Sequence, residues 1–129
     1  MRKMSSRVLD SSAILALMYL EKGCEKVAPI LDGALMSSVN VAEVFTKLAE
    51  KGVLTKARLR DFDRLGLEIV EFDLEQAIKA AELRPSTKSL GLSLGDRCCI
   101  GLALLRGATA VTADRNWNKL TLCKVETIR

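Results

Sequence analysis

Three observations predict an α/β domain with a parallel sheet between two helical layers. Short apolar runs alternate with segments of helical spacing along all 129 residues; Gly, Pro and Ser mark the junctions; and no internal repeat, low-complexity tract or domain boundary interrupts the pattern. Strands that alternate with helices fold as a parallel sheet covered on both faces. Hydrophobic residues make up 49% of the chain, enough for one domain with a core of its own.

Arg7 to Leu9 is the first strand, and Ser11 or Ser12 is placed to cap a helix carrying Ile14, Leu15, Leu17 and Met18 up to Gly23. A helix over Glu25 to Leu31 stops at Asp32-Gly33, and Ala34 to Val39 returns as a strand. Glu43, Val44, Lys47, Leu48 and Lys51 recur at helical spacing before Gly52, and Thr55 caps a further helix over Lys56 to Leu65. Glu68 to Phe72 is a strand; Leu74 to Leu83 is a helix that Pro85 terminates. The stretch Arg84 to Gly95 is the most loop-like part of the chain and leads into the apolar helix that begins at Asp96. Ala108 to Thr112, a short helix over Arg115 to Leu120, and a strand over Lys124 to Thr127 complete the order.

Composition excludes several chemistries. The chain has no His, so imidazole general bases and His-bound zinc are ruled out, and hydrolysis must activate water through a metal or a carboxylate. Twenty Lys and Arg against 16 Asp and Glu give a net charge of +4, which favours a polyanionic partner only weakly. The four cysteines Cys24, Cys98, Cys99 and Cys123 show no C-x-x-C spacing and are expected as core thiols in a reducing compartment. Arg2, Lys3 and Arg7 precede an apolar run as in a signal peptide, but Asp10, Ser11 and Ser12 interrupt it and the run is far below membrane-spanning length. A cytoplasmic protein without a membrane partner is expected.

Four acids carry the functional signal. Asp10, Glu43, Asp96 and Asp114 each lie where an apolar segment gives way to a helix. In an open parallel sheet those positions gather at one edge, where ligands bind. An oxygen-only carboxylate cluster suits Mg²⁺ or Mn²⁺, ions that drive phosphodiester hydrolysis, so the pattern points to a metal-dependent nuclease. Each acid also has a structural explanation. Asp10 and Asp114 stand at helix starts, and Asn40-x-x-Glu43 and Ser93-x-x-Asp96 both have the form of capping boxes. The two roles coexist, since a helix N-terminus can wall a polar site.

Ser12, Asn40, Thr112 and Asn116 are candidates to orient those carboxylates, with local capping as the alternative. Arg84, Lys88, Arg97 and Arg115 flank the acids and are the candidate phosphate contacts. Lys47, Lys51, Lys56, Arg58, Arg60 and Arg64 are interleaved with Glu50, Asp61 and Asp63, the pattern of an ordinary charged helix face. One Trp, one Tyr and three Phe are too few for a base-stacking platform.

With these elements in place the chain resembles the PIN-domain family, and within it the VapC-type toxins of toxin–antitoxin modules. The resemblance is carried by Val8-Leu9-Asp10-Ser11-Ser12-Ala13, Ser38-Val39-Asn40-Val41-Ala42-Glu43-Val44, Gly91-Leu92-Ser93-Leu94-Gly95-Asp96 and Thr112-Ala113-Asp114-Arg115, in that order over nearly the whole chain. It implies a three-layer α/β/α fold around a parallel five-stranded sheet. It also implies a Mg²⁺- or Mn²⁺-dependent endoribonuclease with Asp10, Glu43, Asp96 and Asp114 as metal-site acids, a homodimer, and a cognate antitoxin. Asn116 departs from the family, in which an acid commonly stands two positions after the last motif Asp. A neutral ligand holds a hard cation less strongly, so a firmly bound second ion is unsupported. PIN-fold RNA-processing enzymes share the same motifs, and a non-catalytic RNA-binding module could keep the fold. An aspartyl-phosphate phosphatase would also place its nucleophile at a strand end, but it usually shows D-x-D where this chain has Asp10-Ser11-Ser12.

Overall fold

Five short strands lie side by side in the order β3-β2-β1-β4-β5, every neighbouring pair parallel. They are β1 (Arg7–Leu9), β2 (Leu35–Ser37), β3 (Glu68–Val70), β4 (Thr109–Thr112) and β5 (Val125–Thr127). This computed structural model describes residues 6–129; Arg2 and Lys3 lie outside the described residues. Between the strands run α1 (Ser11–Met18), α2 (Cys24–Val27), α3 (Ser38–Glu50), α4 (Lys56–Asp63), α5 (Leu74–Glu82), α6 (Arg84–Thr87) and α7 (Leu94–Arg106).

The period-two alternation of the strands divides the core into two layers. Leu9, Met36 and Val111 face one cluster with Ile14, Val44, Leu48 and Phe62 from the helices α1, α3 and α4. Their neighbours Val8, Leu35 and Ala110 face the other cluster, with Ile100 and Leu102 of α7, Leu83 and Trp117. Both sheet faces are therefore covered, as parallel sheets require. The chain builds β1, β2 and β3 outward in one direction, then returns past β1 through α5, α6 and α7 to place β4 on its other side. The order reverses between β1 and β4, the switch point where such sheets leave a crevice beyond their strand ends.

Several boundaries differ from those expected of the sequence. β2 stops at Ser37 rather than Val39, because the Ser37 hydroxyl accepts from Val39 N at 3.2 Å and starts α3 there. Asn40 consequently sits inside the first turn of α3, and Asn40-x-x-Glu43 forms no capping box. Neither Ser11 nor Ser12 caps α1: the N-cap position is Asp10, which makes no side-chain cap bond. The stretch expected as a loop from Arg84 contains α6 and a 3-10 turn over Lys88–Leu90. Pro85 lies in the first turn of α6, where its missing N–H costs nothing, while Thr87 Oγ1 donates to Leu83 O at 2.7 Å. Pro29 likewise divides the expected Glu25 to Leu31 helix into α2 and a 3-10 turn over Ala28–Ile30. The expected helix after Asp114 is a 3-10 helix over Arg115–Lys119. Cys98 and Cys99 are buried, Cys24 and Cys123 half-buried, and all four are free thiols. Among the described residues no helix is long and apolar enough to cross a membrane.

Candidate functional site

Asp10 ends β1 at the crevice beside β4. Its backbone N–H continues the ladder to Val111 O at 2.8 Å, and only 4% of the residue is exposed. One carboxylate oxygen is fully engaged: Oδ2 accepts from Ser12 Oγ at 2.7 Å and from Thr112 Oγ1 at 3.1 Å. The other, Oδ1, is buried with no hydrogen-bond partner. Burial pushes the Asp10 pKa up to about 6, the hydrogen bonds from Ser12 and Thr112 oppose that rise, and the charges of Asp96 and Glu43 add to it.

Ser12 and Thr112 connect the strand ends. Ser12 Oγ accepts from Ala113 N at 2.9 Å while donating to Asp10, and Thr112 Oγ1 accepts from Asp114 N at 3.1 Å. Both hydroxyls therefore satisfy backbone beyond β4 and fix one face of the buried carboxylate. Asp114 follows on the exposed side and caps the 3-10 helix, its Oδ1 accepting from Asn116 N at 2.9 Å. Asn116 does not turn toward the carboxylates; its Nδ2 donates to Leu90 O at 2.7 Å and ties this turn to the one before α7.

Asp96 enters from the first turn of α7. With Ser93 it forms the reciprocal capping box expected of the sequence, Oδ2 accepting from Ser93 N at 2.9 Å and Asp96 N donating to Ser93 Oγ at 3.1 Å. Burial raises its pKa against those stabilising bonds, and Glu43 and Asp114 raise it further. Glu43 projects from α3, where Asn40, one turn earlier, donates through Nδ2 to Glu43 Oε1 at 2.7 Å. The four acids thus form one electrostatic neighbourhood: Asp10 feels Asp96 and Glu43, and Asp96 feels Glu43 and Asp114. As they stand, no three acidic or thiol side chains among the described residues are grouped closely enough to enclose an ion. Asp96 and Asp114 are turned back into their own helix caps, which accounts for the open arrangement.

Gly95 is a site residue that the spacing of polar side chains did not single out. A Cβ there would fall inside the Glu43 carboxylate, so glycine leaves the room that this side chain occupies between the first turn of α7 and α3. Its one sequence signal is a glycine in the opening turn of an otherwise apolar helix. The expected phosphate contacts divide. Arg97 Nη1 donates to Ala80 O at 2.9 Å and Arg115 Nε to Arg129 O at 2.9 Å, so both are tied to backbone, whereas Arg84 and Lys88 are exposed.

The family model of the PIN domain matches residues 7–121, a span that includes all four acids. The chain belongs to the PIN-domain family. Its fold is similar to that of a chain in the DNA-bound VapBC structure from Salmonella typhimurium, with a TM-score of 0.75 at 20% identity over 98% of this chain and 100% of that one. A toxin–antitoxin complex from Klebsiella pneumoniae gives 0.76 at 16% identity over 96% and 98%. FitAcB from Neisseria gonorrhoeae gives 0.75 at 21% identity over 95% and 97%. At these identities the likeness establishes a shared PIN fold. No curated protein sequence matches the chain.

Proposed function

We propose that this PIN-domain chain is a divalent-metal-dependent endoribonuclease, acting in the cytoplasm as the toxin of a toxin–antitoxin pair, with an antitoxin protein as its partner and a homodimer as its assembly. The observation that carries the reading is Asp10: a buried carboxylate at the sheet's switch point, with one unpartnered oxygen and two further acids close enough to raise its pKa. Burying that much negative charge is costly without a compensating cation. The donor set is all oxygen, as Mg²⁺ or Mn²⁺ prefers, and Asn40 Oδ1 is a second buried oxygen without a partner. The likeness to chains of toxin–antitoxin complexes supports the toxin assignment.

Asp10, Asp96 and Asp114 would hold the ion, with Glu43 completing the set. The ion would supply Lewis acidity and offset charge on the phosphate. The chain's own residues orient and bind. Ser12 and Thr112 fix Asp10 through Oδ2 and leave Oδ1 free of protein donors, Asn40 steers Glu43, and the Ser93 box sets the first turn of α7. A second reading, a non-catalytic RNA-binding module, is favoured by the caps that already occupy Asp96 and Asp114.

Incubating the purified chain with single-stranded RNA, with Mg²⁺ or Mn²⁺ and with EDTA, decides between them. Metal-dependent cleavage lost in Asp10→Asn supports the nuclease; RNA binding with no cleavage under any metal supports the module. Growth arrest on expression, absent with Asp10→Asn, separates a toxin from an RNA-processing nuclease, which would cleave without arresting growth.

A further inference from the structure

Two of the acids, Asp96 and Asp114, stand on separate segments that one side chain joins. Asp114 is the N-cap of the 3-10 helix over Arg115–Lys119, and Asp96 lies in the first turn of α7, a short stretch of chain after Leu90. Asn116 Nδ2 donates to Leu90 O at 2.7 Å and so spans the two segments, which are 26 positions apart. We infer that Asn116 is a positioning residue of the metal site: its amide straps the segment bearing Asp114 to the segment bearing Asp96, and the site so held takes a single ion. The inference rests on the nuclease reading and extends it to what sets the spacing of the ligands.

The path from this bond to either acid is short and held along its length. On one side Asn116 N donates to Asp114 Oδ1 at 2.9 Å, and Asp114 N donates at 3.1 Å to Thr112 Oγ1, the hydroxyl that also holds Asp10. Trp117, the next residue, is fully buried in the second core cluster. On the other side Leu92 is buried in that same cluster, and Ser93 closes the capping box with Asp96. Little slack is left between strap and carboxylates. A strap is needed because the two acids repel: the charge of Asp114 raises the pKa of Asp96. A neutral donor draws their segments together without adding to that charge. Local structure explains why Leu90 O wants a donor, since Leu90 closes a 3-10 turn and the last carbonyls of a helix lack an internal partner. It does not require that the donor stand two residues after a proposed ligand. An ionised carboxylate at position 116 could only accept, and it would face the Leu90 carbonyl. The neutral residue there therefore follows from the strap, and the acids that remain, Asp10, Glu43, Asp96 and Asp114, are a donor set for one ion. Partners that orient ligands without touching the metal typically change its affinity about 10- to 100-fold.

The test titrates Mn²⁺ into the full chain and reads free Mn²⁺ by electron paramagnetic resonance, which gives affinity and stoichiometry without any substrate. The wild type should bind one ion. Asn116→Ala should bind it about tenfold or more weakly, and Asn116→Gln, which keeps an amide donor, should recover part of the loss. Asn116→Asp removes the donor and adds a carboxylate; it should also weaken binding, with one ion still bound. The control Thr87→Val removes another buried hydrogen bond, from Thr87 Oγ1 to Leu83 O, in the segment that precedes Leu90, and it should lower stability to urea while leaving Mn²⁺ affinity near that of the wild type. Tighter binding or a second ion in Asn116→Asp would make position 116 a ligand position and overturn the strap. Equal losses of affinity in Thr87→Val and Asn116→Ala would reduce the effect to general stability and also overturn it, as would an unchanged affinity in Asn116→Ala. If Asn116→Ala does not fold, the sign of the change in Asn116→Asp decides. A wild type that binds no Mn²⁺ at millimolar concentration would remove the nuclease reading itself, an outcome distinct from a bound ion indifferent to Asn116.

Discussion

Asn40 Nδ2 lies 3.0 Å from the carbonyl oxygen of Gly95, 55 positions away, and 2.7 Å from Glu43 Oε1. One buried amide therefore joins α3 to the opening turn of α7 and aims a site carboxylate at the same time. Asn40→Leu removes the donor and leaves a buried carbonyl unsatisfied, which costs about 1–3 kcal/mol. Urea denaturation should register that loss. RNA cleavage should fall with it and recover in part in Asn40→Gln, whose amide can still reach both acceptors; full activity in the Leu variant would remove Asn40 from the positioning of Glu43.

Gly95→Ala separates activity from stability. Alanine favours a helix over glycine by about 1 kcal/mol, and the atoms that its Cβ meets belong to the end of the flexible Glu43 side chain. The melting temperature should stay level or rise while cleavage drops, because Glu43 must swing away from the first turn of α7. Adding Glu43→Ala to Gly95→Ala should then cost little more activity, a non-additivity that reports a shared cause. Additive losses would place Gly95 and Glu43 in separate roles.

The alternation of apolar runs was enough to give the parallel sheet and both cores, since Val8 and Leu9, or Ala110 and Val111, divide between the faces by period two alone. Segment-end positions likewise placed Asp10, Glu43, Asp96 and Asp114 near enough for their charges to act on one another, because strand order converts those ends into one edge, but not close enough among the described residues to enclose an ion. What the sequence left open is set by single hydrogen bonds. Ser37 caps α3 three residues before Asn40, so the apparent box at Asn40 became a tertiary link. Asn116 turned to Leu90 O rather than to the acids.

The pH dependence of the metal-free protein has a definite sign. A carboxyl whose pKa rises on folding stabilises the native state when protonated, so its contribution is present below the ordinary value of 3.8 and is lost as pH climbs through about 6. For Asp10 the difference corresponds to about 3 kcal/mol. The raised pKa of Asp96 acts in the same direction. In EDTA, wild-type stability relative to Asp10→Asn should fall between pH 4 and pH 7, and at pH 7 the Asn variant should melt higher. A difference independent of pH would mean that Asp10 titrates normally and that its burial is relieved by solvent.

A bound divalent ion would reverse that balance, which makes Asp10→Asn the most telling substitution. Millimolar Mg²⁺ or Mn²⁺ should raise the melting temperature of the wild type, because a ligand selective for the folded state stabilises it by mass action. Asp10→Asn and Asp96→Asn, which keep the shape but remove charge that would hold the ion, should show a much smaller rise and should lose nearly all RNA cleavage. Their affinity for RNA should be kept or improved, since less negative charge faces the phosphates. Cleavage and RNA binding measured together on the folded variants distinguish the outcomes. Full cleavage by Asp96→Asn, or by the wild type in EDTA, would defeat the metal-dependent reading. Loss of folding in Asp96→Asn alone would instead assign that carboxylate chiefly to the Ser93 capping box, since an amide can still accept from Ser93 N but no longer carries a charge at the start of α7.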